Sequence, residues 1–333
     1  MREPIPSLLV APMAGGPSTP ALVIAAGRAG ALGLLAAGYK TPEAVEDELR
    51  AVRSAGIGYG LNIFVPSRPP SDVAALERYR RLLQAEADRY GVDLPPLRLR
   101  DDDHFDAKVD LATAYAPPLV SFTFGVPDRH VVAALQAAGS LVAVTVTSAA
   151  EAAPALAVAP DLLIAQAGTA GGHASTTTPA TYRGATTAPE ILAAIRSVTD
   201  VPVIVAGGTG SAPDVRRLLS AGAAAVQAGT VFLLAEEAGT RPAQRAAMLS
   251  AGAHETVVTR AFTGQPARAL RNRFTDEYSA VAPVGYPAVH HLTAPIRAAA
   301  AEQGDPGALN LWAGTCFTAA RPAPAADIIR SLS

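Results

Sequence analysis

LLIAQAGTAGGHAS (162–175), VPVIVAGGTGSAPD (201–214) and AAVQAGTVFLL (224–234) carry the reading of this chain. In each, an apolar run of strand length stops abruptly at glycines, and polar residues stand at the stop: Gln166 and His173, Thr209 and Ser211, Gln227 and Thr230. A run that is apolar on both faces belongs to a strand covered on both sides, as in a parallel sheet. Polar groups gathered at the ends of such strands are the signature of a parallel barrel whose C-terminal rim carries a site.

Working outward, similar runs recur along the chain. They are LLVAP (8–12), ALGLLAA (31–37), YGLNIFV (59–65), LVSFTFG (119–125), LVAVTVT (141–147), LLIAQA (162–167), VPVIVAG (201–207) and AVQAGTVF (225–232). Between them lie segments of helical spacing with start signals such as Ser18-Thr19-Pro20, Thr41-Pro42-Glu43, Ser71-Asp72, Thr147-Ser148 and Ser211-Ala212-Pro213-Asp214. A capping hydroxyl or carboxylate beside a proline at the first helical position is what a helix N-terminus favours. Eight strands alternating with helices predict a (β/α)8 TIM barrel. Residues 66–118, with the charged stretch RLRDDDHFD (98–106), read as an extended third crossover, and their acidic run as a solvated face. The barrel is then expected over residues 1–251 with that insertion, followed by a C-terminal cap of helices and loops over 252–333.

The chain has 333 residues, 50% of them hydrophobic and 17% charged, with a formal net charge of −2, which suits one large core and excludes a disordered chain. No run of either sign marks a nucleic-acid or membrane surface. The single cysteine, Cys316, excludes an internal disulfide and reads as core filler rather than a nucleophile. With no signal peptide or membrane span in MREPIPSLLVAPMAGG, the expectation is a cytoplasmic protein, monomer or homodimer, acting on a small molecule.

Gly207-Gly208-Thr209-Gly210-Ser211 follows the seventh strand and precedes a helix, so its backbone N–H groups suit a phosphate. Gln227-Ala228-Gly229-Thr230 offers the second half of such a site at the eighth strand. The glycines of Gly27-Arg28-Ala29-Gly30-Ala31-Leu32-Gly33 come after a helix and before a strand, the reverse of a dinucleotide fingerprint, and read as a helix end packed closely on the second strand. Ala11, Pro12 and Met13 end the first strand and Asn62 lies within the third, giving the mixed apolar and hydrogen-bonding lining that a flat heterocycle needs. Of six histidines, His104, His130, His254, His290 and His291 show no metal-ligand spacing, so no metal is expected. His173, at the rim beyond the sixth strand, suits a base, a hydrogen-bond donor to an anion, or a loop anchor.

Taken together, APMAGGPSTPAL (11–22), NIFVP (62–66), VSFTFGVP (120–127), AGGH (170–173), AGGTG (206–210), AAVQAGTVFL (224–233), FTGQPARALRNRF (262–274), LTAPIRAAA (292–300) and LWAG (311–314) resemble the nitronate monooxygenase family, most closely its bacterial class I members. The resemblance implies an FMN-dependent barrel that oxidises alkyl nitronates such as propionate 3-nitronate with O2. By position it implies flavin contacts at Ala11, Pro12, Met13, Asn62, Gln166, Gly171 and Gly172. It implies a hold on the ribityl phosphate by Gly207, Gly208 and the Gln227, Ala228, Gly229, Thr230 segment. His173 matches the family's active-site histidine, and as a cation or N–H donor it is expected to hold the nitro group. Phe124 and Tyr286 are candidates for the substrate side. The family's usual QGxEAGGH reads QAGTAGGH here, so Ala167 replaces a glycine and Thr169 a glutamate, which bears on substrate choice and on the protonation of His173. Related barrels that use reduced nicotinamide, the enoyl-acyl-carrier-protein and quinone reductases, are the alternative, followed by a flavin-binding protein without turnover.

Overall fold

The computed structural model describes residues 5–250 and 255–333. His254 lies outside the described residues.

Eight parallel strands close into a barrel: β1 (Leu8–Val10), β2 (Leu32–Ala36), β3 (Tyr59–Phe64), β4 (Leu119–Thr123), β5 (Leu141–Val146), β6 (Leu162–Gln166), β7 (Val203–Ala206) and β8 (Ala225–Ala228). Neighbours in sequence are neighbours in space, and β8 pairs with β1 through Leu9 opposite Gln227. Each of the eight apolar runs therefore contains a strand, most of them trimmed by one to three residues at an end, and one is cut short further. The run 225–232 is strand only to Ala228, because Gly229 turns the chain and Thr230–Phe232 form a 3-10 turn. That turn brings Thr230 back over the rim.

The pleat explains why the rim is polar. Alternate residues share a strand face, and the inward series begins apolar: Leu9, Leu32, Leu34, Leu119, Leu162 and Ile204 form one buried cluster. Followed toward the C-terminal ends, the same parity reaches Ser121 and Thr123 on β4, Asn62 on β3, Thr145 on β5, Gln166 on β6 and Gln227 on β8. A dry plug thus fills the bottom of the barrel and a hydrogen-bonding floor tops it. The opposite parity packs on the helices. Gly33 is required there, since a Cβ at that position would sit 2.7 Å from the Val23 backbone of helix Pro20–Arg28.

Helix starts follow the sequence signals closely. Thr19, Thr41, Asp72, Ser148 and Ser211 each accept a hydrogen bond from a backbone N–H in the first turn of the helix they cap. The third crossover is long and helical, with Val73–Leu82, Gln84–Tyr90 and Phe105–Tyr115. Its acidic run is not merely a solvated face. Asp101 pairs with His291 at 2.7 Å and Asp103 with the fully buried Lys108 at 2.8 Å.

The C-terminal part is more than helices and loops. Two antiparallel strands, β9 (Thr256–Thr259) and β10 (Ala267–Leu270), pair in a ladder, and β10 also pairs with Gly172–His173. The helix Ala288–Glu302 packs on the insertion helices Val73–Leu82 and Gln84–Tyr90, so insertion and C-terminal part share one core, containing Tyr79, Phe262, Phe274 and Leu292. The last helix, Ala325–Leu332, leaves that group. Its Ile328, Ile329 and Leu332 join the barrel core between helices Pro20–Arg28 and Ala212–Ser220, filling the outer position after β8. The stretch read as a cap is therefore divided between the rim and the barrel wall. No helix among the described residues is long and apolar enough to cross a membrane.

Candidate functional site

A cavity of about 420 Å³ opens at the C-terminal rim. That is within the range of about 300–1,000 Å³ usual for small-molecule sites. Its floor is the polar layer described above. Asn62 donates from Nδ2 to Ser121 Oγ at 3.0 Å and Thr123 Oγ1 at 2.9 Å, so β4 fixes the amide and its carbonyl oxygen is left for the cavity.

One end of the cavity is built from main chain. Gly207 and Gly208, at φ of +110° and +70°, let the chain after β7 turn in a way that residues with a Cβ rarely adopt. A Cβ on Gly208 would meet Thr169 Oγ1 at 2.8 Å. Facing them, Gly229 lies against Ala11 and Met13, where a Cβ would stand 3.2 and 3.6 Å from their atoms. The amide N–H groups of Gly208, Thr209, Gly229 and Thr230 make no hydrogen bond among the described residues. Thr209 Oγ1 and Gln227 Oε1 are buried without a partner. A native interior leaves few such groups, and these converge on the same end.

The helix that follows, Ala212–Ser220, caps itself. Asp214 Oδ2 accepts from Gly210 N at 3.2 Å and from the Ser211 hydroxyl at 2.8 Å. The Gly210 amide and the Ser211 hydroxyl are thus committed to the cap, whereas the Gly208 and Thr209 amides are not.

At the other end stands His173. Gln166 holds its loop on the barrel, donating from Nε2 to His173 O at 2.9 Å and accepting from Ser175 N at 2.7 Å. The run Ser175–Thr178 anchors the loop further. Buried Glu151 accepts from the Thr176 hydroxyl at 2.8 Å and Thr177 N at 2.7 Å, and Ser175 Oγ receives the N–H of Phe124 at 3.0 Å. Phe124 sits at φ +72°, a sparsely populated conformation for a non-glycine residue and one found where a site imposes it.

The His173 ring lies 5.4 Å from Phe124 and 5.1 Å from Trp312 between ring centroids, with Nε2 2.9 Å from Thr263 Oγ1. Burial, reinforced by the nearby Arg297 charge, holds its pKa down to about 3. So low a value makes His173 neutral at physiological pH, which favours a base, a neutral donor or a loop anchor over a cationic role.

The sequence-derived residues come together with one exception. Ala11, Pro12, Met13, Asn62 and Gln166 line the cavity. So do Gly171, Gly172, Gly207 and Gly208, and the segment Gln227, Ala228, Gly229 and Thr230. Phe124 and His173 line it too, but Tyr286 stands behind them, its ring 5.2 Å from Phe124. Thr169, the departure from the family motif, stands against Gly208 and is not among the residues lining the cavity. Cys316 also reaches the cavity, but burial pushes its thiol up to about 11, so it is protonated and not a nucleophile.

Sequence reasoning missed Thr263, Trp312, His290 and Arg297, which the chain after residue 255 lays over the cavity. Tyr39 and His290 stack with centroids 4.5 Å apart. Arg297 is 7% exposed and has no carboxylate partner among the described residues. Its signal lay inside LTAPIRAAA, where an arginine stands four residues after Thr293 on an otherwise apolar helix face.

Comparison with known proteins gives a consistent answer. The family model described as nitronate monooxygenase matches residues 3–333. A probable nitronate monooxygenase from Staphylococcus aureus (strain Newman) is 31% identical over 330 residues, covering 98% of this chain and 92% of the relative. Among solved structures, a nitroalkane oxidase from Streptomyces ansochromogenes superposes with a TM-score of 0.93 at 41% identity, covering 99% of this chain and 95% of that one. FabK from Thermotoga maritima superposes with a TM-score of 0.71 at 22% identity over 98% of this chain and 91% of its own, a likeness of fold.

Proposed function

Because the chain belongs to the nitronate monooxygenase family, an enzyme family whose model spans it almost end to end, we propose that it oxidises alkyl nitronates such as propionate 3-nitronate with O2, giving a carbonyl compound and nitrite, with FMN as cofactor. The observation that carries this reading is the polarity of one cavity: unpaired amides and an orphaned Thr209 hydroxyl at one end, a neutral histidine in an aromatic setting at the other.

The residues present fit a flavin mononucleotide. Gly208, Thr209, Gly229 and Thr230 would hold the phosphate through N–H groups that have no other partner. Asn62, through its free carbonyl oxygen, and the backbone around Ala11 to Met13 would meet the ring system, and Gln227 Oε1 would accept from it or from the ribityl chain. FMN, when bound, supplies the electron acceptance and the reaction with O2 that no side chain here provides.

The chain's own part is position and proton handling. His173 and Trp312, their rings 5.1 Å apart, would bound the substrate end. A nitronate is already a carbanion equivalent, so no proton has to leave its carbon. The Thr263 hydroxyl has one proton and lies 3.2 Å from Gln265 O. Donated there, it leaves Thr263 Oγ1 to accept Nε2–H of His173, and Nδ1 keeps its lone pair.

That tautomer favours a second reading within the same site, in which Nδ1 removes the α-proton of a neutral nitroalkane before oxidation. The Streptomyces ansochromogenes relative, a nitroalkane oxidase, is in keeping with it.

The test is spectroscopic. The purified protein should be yellow, release FMN on denaturation, and bleach anaerobically with an alkyl nitronate faster than with NADH. A colourless protein that takes up no flavin, or bleaching by NADH alone, would refute the reading.

A further inference from the structure

We propose that Arg297 is the residue that holds the negative charge of the substrate, its guanidinium gripping the two oxygens of the nitronate group beside His173. This inference deepens the proposed oxidation of nitronates and rests on that reading for the identity of the substrate.

The fold leaves one buried charge in the cavity unanswered. Arg297 sits in the helix Ala288–Glu302, is 7% exposed, and lines the cavity. Its Nε donates to Thr293 Oγ1 at 3.1 Å and its Nη2 to His290 O at 2.8 Å. Both partners are neutral. A guanidinium carries five N–H groups, so these two bonds leave three. Nη1 makes no bond among the described residues. No aspartate or glutamate lines the cavity at all, whereas a second arginine, Arg241, stands exposed at its edge. Burying a cation without a counter-charge is costly unless something anionic completes it. Burial and the Arg241 charge press the Arg297 pKa down to about 10, still far above physiological pH, so the charge persists.

The position of Arg297 identifies which anion it serves. It lies on the His173 side of the cavity, where its field is one cause of the depressed histidine pKa. A short relay fixes the two together. Thr293 Oγ1, which receives Arg297 Nε, donates to Phe262 O at 2.5 Å, and the next residue, Thr263, holds His173 Nε2. The unpaired amides suited to a phosphate are on the loops after β7 and β8 instead, and need no help from this side chain. A nitronate is planar, with two equivalent oxygens on one nitrogen, and the free edge formed by Nη1 and the remaining Nη2 hydrogen matches that fork. With His173 neutral, Arg297 is the one buried cation among the residues lining the cavity.

Nitrate supplies the probe, being a planar anion with the same O–N–O edge and no carbon to oxidise. Its binding to the flavin-loaded enzyme is measured by thermal shift and by competition against a nitronate, for the wild type, Arg297→Lys and Arg297→Met, with flavin content and melting temperature recorded for each. The expected result is at least a 30-fold weaker nitrate affinity and a similar rise in nitronate KM in Arg297→Met, and an intermediate loss in Arg297→Lys. Nitrate and nitronate binding unchanged in Arg297→Met would overturn the proposal, and so would a loss confined to flavin content or flavin potential. If Arg297→Met fails to fold, Arg297→Lys decides alone, since equal nitrate affinity there refutes a fork-shaped grip. Failure of the enzyme to oxidise any nitronate would refute the proposed reaction, whereas the nitrate measurement reports on Arg297 independently.

Discussion

His173 Nε2 lies 2.9 Å from the Thr263 hydroxyl, joining a residue of the rim loop after β6 to one contributed ninety positions later. The same two segments are stitched by backbone pairing of His173 with Ala267. The imidazole is thus oriented by the C-terminal part of the chain and not by the barrel alone.

Thr263→Val removes that orienting oxygen while keeping the volume. A net loss of about 1 kcal/mol in stability is expected from one buried hydrogen bond. Turnover of a neutral nitroalkane should fall by about tenfold through loss of the base tautomer, with nitronate turnover much less affected. Steady-state kinetics with the paired substrates check this, and an equal fall for both would refute the tautomer argument.

His173→Asn separates the two proton roles. Loss of a general base typically costs about 100-fold or more, so oxidation of neutral nitroethane should collapse. Nitronate oxidation should persist, with the effect mainly in KM. If nitronate turnover collapses too, the histidine acts in the oxidation itself.

The depressed histidine value sets a pH dependence of stability. The folded pKa of about 3 lies below the ordinary 6.5, so between them the unfolded chain binds a proton that the native state refuses. Stability from this group is complete above about pH 6.5 and is lost as pH falls from there toward 3. Burial lowers His290 as well, which acts in the same direction. Melting temperature should therefore drop on going from about pH 8 to pH 5, and less steeply in His173→Asn. Parallel curves would contradict a buried neutral imidazole.

Gly208→Ala strains the phosphate end in two ways, through φ +70° and through a Cβ 2.8 Å from Thr169 Oγ1. An alanine in the left-handed region costs about 1–2 kcal/mol. The variant should lose FMN affinity by tenfold or more, read by fluorescence titration, whereas Thr169→Ala should leave nitronate KM within about twofold, because Thr169 does not line the cavity. A changed substrate preference in Thr169→Ala would reverse that assignment.

The insertion and the C-terminal part are tied by Arg273, which pairs with Glu86, a carboxylate 3% exposed. Arg273→Met strands that acid, and leaving one partner of a buried pair alone costs about 3–5 kcal/mol. The partial exposure of Arg273 favours the lower end. Chemical denaturation should show it, and Glu86→Gln in the same background should recover part of the loss.

The barrel was legible because period and punctuation agree. Leu162, Ile164 and Gln166 lie on one face of a strand, and the glycines that follow end that strand, so both the strand and its polar end are written locally. Gly208, Gly229 and His173 were legible for the same reason. What escaped is the part made by distant chain. Arg297 and His290 read as ordinary members of a C-terminal helix, and only the packing of that helix across the rim turns them to the cavity. The strands β9 and β10 were missed because TVVT and ARAL are four residues long, too short for alternation to stand out. Asp101 and Asp103 looked like solvated charge because their partners, His291 and Lys108, are fixed by tertiary contacts.

The central claim, oxidation of a nitronate by O2 on a bound flavin, is tested most directly by following O2 uptake and nitrite release from the purified enzyme with propionate 3-nitronate and no nicotinamide. Saturable O2 consumption accompanied by nitrite is the predicted result. Consumption that appears only when NADH is added, or none with any nitronate, would contradict it.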